Sequence, residues 1–123
     1  MKSQSAYCNV LDAKNSRNWV PVEGTDGMLE ELTLSIDTES GDYTRLTRFK
    51  ARANTKALGG KSHNYPEEIY IISGRLYDEA FETWLEAGHY ASRPPGEKHG
   101  PFICEKECLV MEVSFPSQVQ NAT

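Results

Sequence analysis

Apolar and polar residues alternate along this chain with a period of two, in short runs cut by Gly, Pro, Asp and Asn. A period of two puts successive side chains on opposite faces of an extended strand, so each run predicts a strand with one buried face. No segment keeps an apolar stripe at helical spacing through three turns. Leu32, Leu34 and Ile36 alternate with Thr33, Ser35 and Asp37. The turn residues Glu39-Ser40-Gly41-Asp42 follow, and Tyr43 to Ala51 returns as a second strand. Asn54 to Gly60 reads as a loop. Beyond it, Glu67, Ile69 and Ile71 share one face while Tyr70 and Ile72 take the other. Ser73-Gly74 turns the chain into Arg75 to Glu79, and Phe81 to Leu85, His89 to Arg93, His99 to Cys104 and Cys108 to Phe115 complete the series. In the last strand Leu109, Met111, Val113 and Phe115 lie on one face and Val110 on the other.

About eight strands at roughly ten-residue spacing read as an all-β sandwich or barrel, and the pattern alone does not choose between them. A length of 123 residues fits a single domain, 1–123, with its core at about 19–115. The polar tail Pro116 to Thr123 is predicted to fray.

Composition narrows the classes. Eighteen acids against thirteen scattered bases leave a formal charge of −5, which excludes a nucleic-acid backbone binder and an anionic membrane surface. Met1 to Val10 lacks the apolar segment of a secretory signal, and the cysteine count is odd, so the expectation is a cytoplasmic protein with reduced thiols. Cys104 and Cys108 flank a three-residue turn, where opposed hairpin positions explain them more simply than a metal or redox pair. Arg45, Arg48 and Arg52 recur along the second long strand. The default for such charges is a solvated face, and the alternative is that one turns inward toward an anionic substrate.

Chemistry concentrates in Lys61-Ser62-His63-Asn64-Tyr65-Pro66-Glu67-Glu68. His63 and Glu67 are four apart, an even spacing that places imidazole and carboxylate on the same face of an extended chain. Glu68 is odd with respect to His63 and points away. A second imidazole, His99, follows a Pro-Gly turn, whereas His89 sits among neighbours that read as structural. Two imidazoles and one carboxylate form a donor set for Zn, Mn, Ni or Fe, with open positions left for substrate. A buried Glu67 requires a cation or hydrogen-bond donors, so a metal or an Arg is expected beside it.

These segments resemble the paired motifs of the cupin superfamily. Gly88-x5-Pro94-x-Gly96-x2-His99 meets the second motif, G-x5-P-x-G-x2-H-x3-N, except that Ile103 holds the place of the final Asn. His63-x3-Glu67-x6-Gly74 meets the second half of the first motif, and Lys61 stands where that motif has its first His. Glu67 to Glu79 and Ala87 to Gly96 are further similar to the cupin lobes of ChrR-type anti-sigma factors and of acetylacetone-cleaving dioxygenase-like proteins. The resemblance implies a cupin jelly-roll barrel, commonly a homodimer, with a divalent metal on inward His and Glu residues, here His63, Glu67 and His99. It implies a small-molecule ligand and oxygenase-like chemistry on a small carbonyl compound such as a diketone. A sensing module without turnover, or a metal-free cupin with Lys61 paired to Glu67 in place of the metal, are the alternatives it leaves.

Overall fold

The computed structural model describes residues 3–4, 7–13, 16 and 18–119. Ten strands are present among them: β1 (Ser3–Gln4), β2 (Val20–Pro21), β3 (Leu29–Ile36), β4 (Tyr43–Phe49), β5 (Glu67–Ser73), β6 (Arg75–Asp78), β7 (Thr83–Glu86), β8 (Tyr90–Arg93), β9 (Phe102–Ile103) and β10 (Cys108–Ser114). The large sheet runs β1-β3-β4-β10-β5-β8, with β2 also on β3, and the small one runs β7-β6-β9. The last long strand, β10, lies between β4 and β5, which gives the chain its jelly-roll crossing.

The period-two pattern explains which side chains meet. Glu67, Ile69 and Ile71 of β5 turn inward together with Cys108 and Val110 of β10 and with Leu29, Phe49 and Leu76, forming the core between the sheets. Leu109 of β10 faces the opposite way and packs with Leu32 and Leu46 against Ala13, and Trp19, Ile72 and Met111 extend this outer cluster. Val10, Ala13 and Trp19 therefore cover part of the outer face of the large sheet. Trp19 fixes that cover by donating from Nε1 to the Ala13 carbonyl at 2.8 Å, while the Arg48 guanidinium lies 4.4 Å over its ring. At the β5–β6 turn, Gly74 has φ +76°, and a Cβ there would sit 2.3 Å from the Glu107 carbonyl oxygen. No other residue fits that turn without moving the backbone.

Several strand bounds differ from the sequence reading, each for a local reason. The second long strand stops at Phe49 because Lys50 to Ala53 closes a turn and Arg52 takes φ +66°. After β6, Asp78 Oδ1 accepts the Ala80 N–H at 2.9 Å, and this turn delays β7 to Thr83 rather than Phe81. The stretch expected to be a strand from His99 begins pairing in a named strand only at Phe102, because Gly100 has φ +73° and Pro101 has no N–H to donate. Before it, His99 makes only a short bridge to Lys61. Pro116–Gln118 forms a 3₁₀ turn instead of fraying: Ser117 donates from its backbone N and its hydroxyl to the Asp42 carboxylate, at 2.8 and 2.7 Å. The rest of the predicted frayed tail, 120–123, lies outside the described residues.

Candidate functional site

One end of the interior is polar. The loop before β5 carries His63, the first residue of β5 is Glu67, and the turn before β9 carries His99. Three short backbone contacts bring these segments together. Lys61 and His99 exchange both N–H···O bonds, at 2.8 and 2.9 Å, and Gly96 donates to the His63 carbonyl at 2.7 Å. The Pro-Gly turn thus fixes the backbone on both sides of the imidazole pair.

His63 stacks on Tyr65 with ring centroids 4.9 Å apart, and its ring lies 5.4 Å from that of His99. Its Nε2 is 3.5 Å from Glu67 Oε2. Glu67 is 2% exposed and accepts a hydrogen bond from the Ser114 hydroxyl at 3.2 Å. His63 and Glu67 therefore share a face, as their spacing predicts, and His99 joins them. Glu68 points away and accepts from the Tyr90 hydroxyl at 2.5 Å. His89 is exposed, with its Nδ1 held at the backbone of Glu86 in a turn.

Burial, with Arg93 and His63 adding to it, pushes the His99 imidazole down to about 4. Burial also lowers His63; Arg45, Lys61 and Arg93 act in the same direction and Glu112 opposes them. Both rings are accordingly neutral at pH 7, each with one donor and one acceptor nitrogen. Burial raises the Glu67 carboxyl to about 7; Glu112 pushes it the same way while Arg93 and Arg45 oppose both. His99 Nδ1 is buried and no hydrogen bond of normal geometry reaches it among the described residues.

Inward residues that the motifs did not single out complete the wall. Arg45 faces the interior, which corrects the default reading of a solvated face. It reaches Glu31 Oε2 at 2.8 Å and forks onto Glu112, with Nε 3.1 Å from Oε1 and Nη2 3.5 Å from Oε2. Thr47 donates its hydroxyl to the same Glu112 carboxylate. Arg48 lies on the other face of β4 and pairs with Glu30 at 2.9 Å. Parity held the signal for Glu112, since it shares the face of Val110 and Ser114 on β10. Arg93 is directly opposite Glu67 in the β5–β8 register, so the Arg expected beside a buried Glu67 is present. Its ion pair, however, is with Asp78, Nη1 to Oδ2 at 3.6 Å.

Lys61 is exposed and lines the mouth of the cavity, and among the described residues it has no ion pair with Glu67. The cavity is about 130 Å³. It is lined by apolar side chains such as Leu29, Phe49 and Phe102 together with Arg45, Glu112, His63 and His99. Cys104 and Cys108 lie in the apolar core, away from these polar side chains, as free thiols that burial holds protonated, Cys108 at about 12.

Among the described residues, no three His, Cys, Asp or Glu side chains are arranged to hold an ion. Of the cations that act on His63, Arg45 is balanced by Glu31 and Glu112 and Arg93 by Asp78, which leaves the Lys61 ammonium at the rim to oppose a dication. His63, Glu67 and His99 as placed do not fit a preformed metal centre.

Residues 9–118 match the family described as ChrR cupin-like domain. No curated protein matches significantly. Among solved structures, KdgF from Halomonas sp. is similar over 93% of this chain and 94% of that one, at 17% identity and a TM-score of 0.69. An acetylacetone dioxygenase from Acinetobacter johnsonii is similar over 92% and 74%, at 18% identity and 0.69. The Rhodobacter sphaeroides SigE complex with the anti-sigma ChrR is similar over 83% of this chain and 53% of that one, at 16% identity and 0.61. At these identities the likeness shows the fold. No helix of the described residues is long and apolar enough to cross a membrane.

Proposed function

We propose, given that this chain belongs to the ChrR cupin-like family, that it is a cupin module binding a small oxygen-bearing molecule, such as a carbonyl compound, in the mouth cavity between His63 and His99. The observation that carries this reading is His99. Its ring lines the cavity, burial keeps it neutral against a weak pull from the Glu97 backbone, and among the described residues no hydrogen bond of normal geometry reaches its Nδ1. A buried nitrogen without a partner is costly in the free protein, and a ligand that supplies one recovers that cost. The apolar part of the lining accepts the carbon part of the ligand. The Arg45–Glu112–Glu31 network, already satisfied internally, holds the polar part of the lining in place.

Within this reading the chain's own groups bind and orient. His63, stacked on Tyr65 and beside Glu67, presents a second neutral ring at the mouth. Lys61 at the rim adds a positive charge that steers ligands by their oxygen end. Release of this occupancy signal to a partner protein, as a sensing module, is the form of the function that needs no turnover.

A second reading is a metal-dependent oxygenase acting on a small carbonyl compound, in which His63, Glu67 and His99 would have to draw together to hold the metal. The same unpartnered His99 nitrogen favours it, because a neutral imidazole with a free ring nitrogen is a ligand's state. Ligand-observed NMR with a panel of small ketones and hydroxyketones separates the readings, using metal-free protein and protein incubated with each of Fe, Zn, Mn and Ni. Saturation transfer to a ketone by metal-free protein, lost in His99→Phe, supports the binding module. Transfer seen only after metal loading overturns it in favour of the oxygenase.

A further inference from the structure

Adjoining the mouth cavity lies a smaller compartment of about 50 Å³ that shares Phe49, His99, Phe102 and Glu112 with it and is further lined by Glu67, Ile69 and Arg93. Arg93 is 5% exposed. A guanidinium carries five N–H donors, yet among the described residues Arg93 donates no hydrogen bond of normal length and its Nε is buried without a partner. The nearest acceptor, Asp78, stands 3.6 Å from Nη1, and its other oxygen is already taken by the Gly100 and Ala80 N–H groups at 2.9 Å each. The Phe102 ring, 5.7 Å from the guanidinium carbon, offers only a weak cation–π contact. A buried guanidinium with matched charge and unused donors is a binding group awaiting an acceptor.

We propose that Arg93 is the inner anchor of the ligand: the molecule that enters past His63 and His99 presents an uncharged oxygen, a carbonyl or hydroxyl, to the Arg93 guanidinium. The proposal rests on the mouth cavity being a ligand site. Charge decides the class of oxygen. Glu67 and Glu112 line the same compartment and Asp78 already balances Arg93, so a carboxylate would add a fourth acidic group to a space of low dielectric. A neutral acceptor uses the spare N–H donors without that repulsion. The compartment's volume also matches a single oxygen-bearing group rather than a second ring.

The test uses two molecules of nearly the same size, hydroxyacetone and pyruvate, added to the ¹⁵N-labelled full-length protein. Side-chain spectra would follow the Arg93 Nε–H and the His63 and His99 rings. The proposal predicts that hydroxyacetone moves the Arg93 Nε–H signal together with the His99 ring, while pyruvate binds at least about tenfold more weakly. Arg93→Lys keeps the charge beside Asp78 but loses the fork, and it should weaken hydroxyacetone by about tenfold while the His99 ring still responds. If His99 and His63 respond and Arg93 does not, the anchor is wrong and the mouth site stands. Pyruvate binding as tightly as hydroxyacetone overturns the uncharged class, and an unchanged affinity in Arg93→Lys overturns the anchor. If no signal moves with either molecule, the mouth site falls as well.

Discussion

The two ends of one strand face show how this jelly roll separates stability from function. On β10, Cys108 and Val110 face inward into the apolar end of the interior, where Ile71 and Leu76 are 0% and 2% exposed. Two and four residues further along the same face, Glu112 and Ser114 stand among Arg45, Thr47 and Glu67. The strand, the sheet and the register do not change between the two ends; only the chemistry of every second residue does. The apolar end holds the sheets together by burial. The charged end contributes little net stability, but its groups constrain one another's positions, and that is the condition a binding wall needs.

The largest expected effect comes from the apolar end. Ile71→Ala should destabilise the protein by about 2–5 kcal/mol and leave the charged wall in place, so urea unfolding shifts while binding of small ketones to the folded fraction is unchanged. Next comes Glu112→Ala. It leaves Arg45 with Glu31 as its ion-pair partner and removes the acceptor for Thr47. The cost is on the order of 2–3 kcal/mol, below the figure for fully buried pairs because Arg45 retains some exposure. If both variants lose binding in proportion to stability, the division between the two ends is wrong.

A subtler contrast lies in pH dependence. Glu67, raised to about 7 chiefly by burial, stabilises the fold most below its unfolded value of 4.5 and loses that contribution as pH rises toward 7. His99, lowered to about 4 chiefly by burial, does the opposite: its contribution is full above 6.5 and is lost as pH falls through 4. Between about 4.5 and 6.5 the two slopes oppose each other. Wild-type stability should therefore vary little across that window. Glu67→Gln should make stability rise with pH there, and His99→Asn should make it fall. Unfolding free energies at half-unit pH steps check this, and parallel curves for all three proteins would contradict it.

The smallest effect belongs to Lys61. Its side chain is exposed with no ion pair to Glu67, so Lys61→Met should change stability by less than about 0.5 kcal/mol. Thermal unfolding measures it, and a shift above that size would reveal a pairing of the ammonium with the inner carboxylates.

Much of this was legible in the chain. Parity along Glu67 to Ile72 identified the inner face of β5, and Gly88 to His99 identified the jelly roll and the imidazole turn. What escaped has a common physical cause. Arg45 read as a surface charge because a charge is usually solvated, Arg93 carried no local signal of its own, and what holds each inside comes from another strand. Glu112 pairs with Arg45 across 67 residues, and Asp78 meets Arg93 across the two sheets. Nothing local announces such partners. The position of Lys61 was read correctly as a departure from the motif, but where its ammonium goes depended on a rim that spacing does not describe.

The proposed function requires that the two imidazoles serve a ligand directly. The most direct measurement is elemental analysis of the protein purified without chelator and after incubation with Fe, Zn, Mn or Ni, paired with ketone binding on the same samples. The account predicts well under one metal per chain in every sample and ketone binding that does not depend on the metal. One tightly held metal per chain, lost in His99→Asn and required for ketone binding, would contradict it.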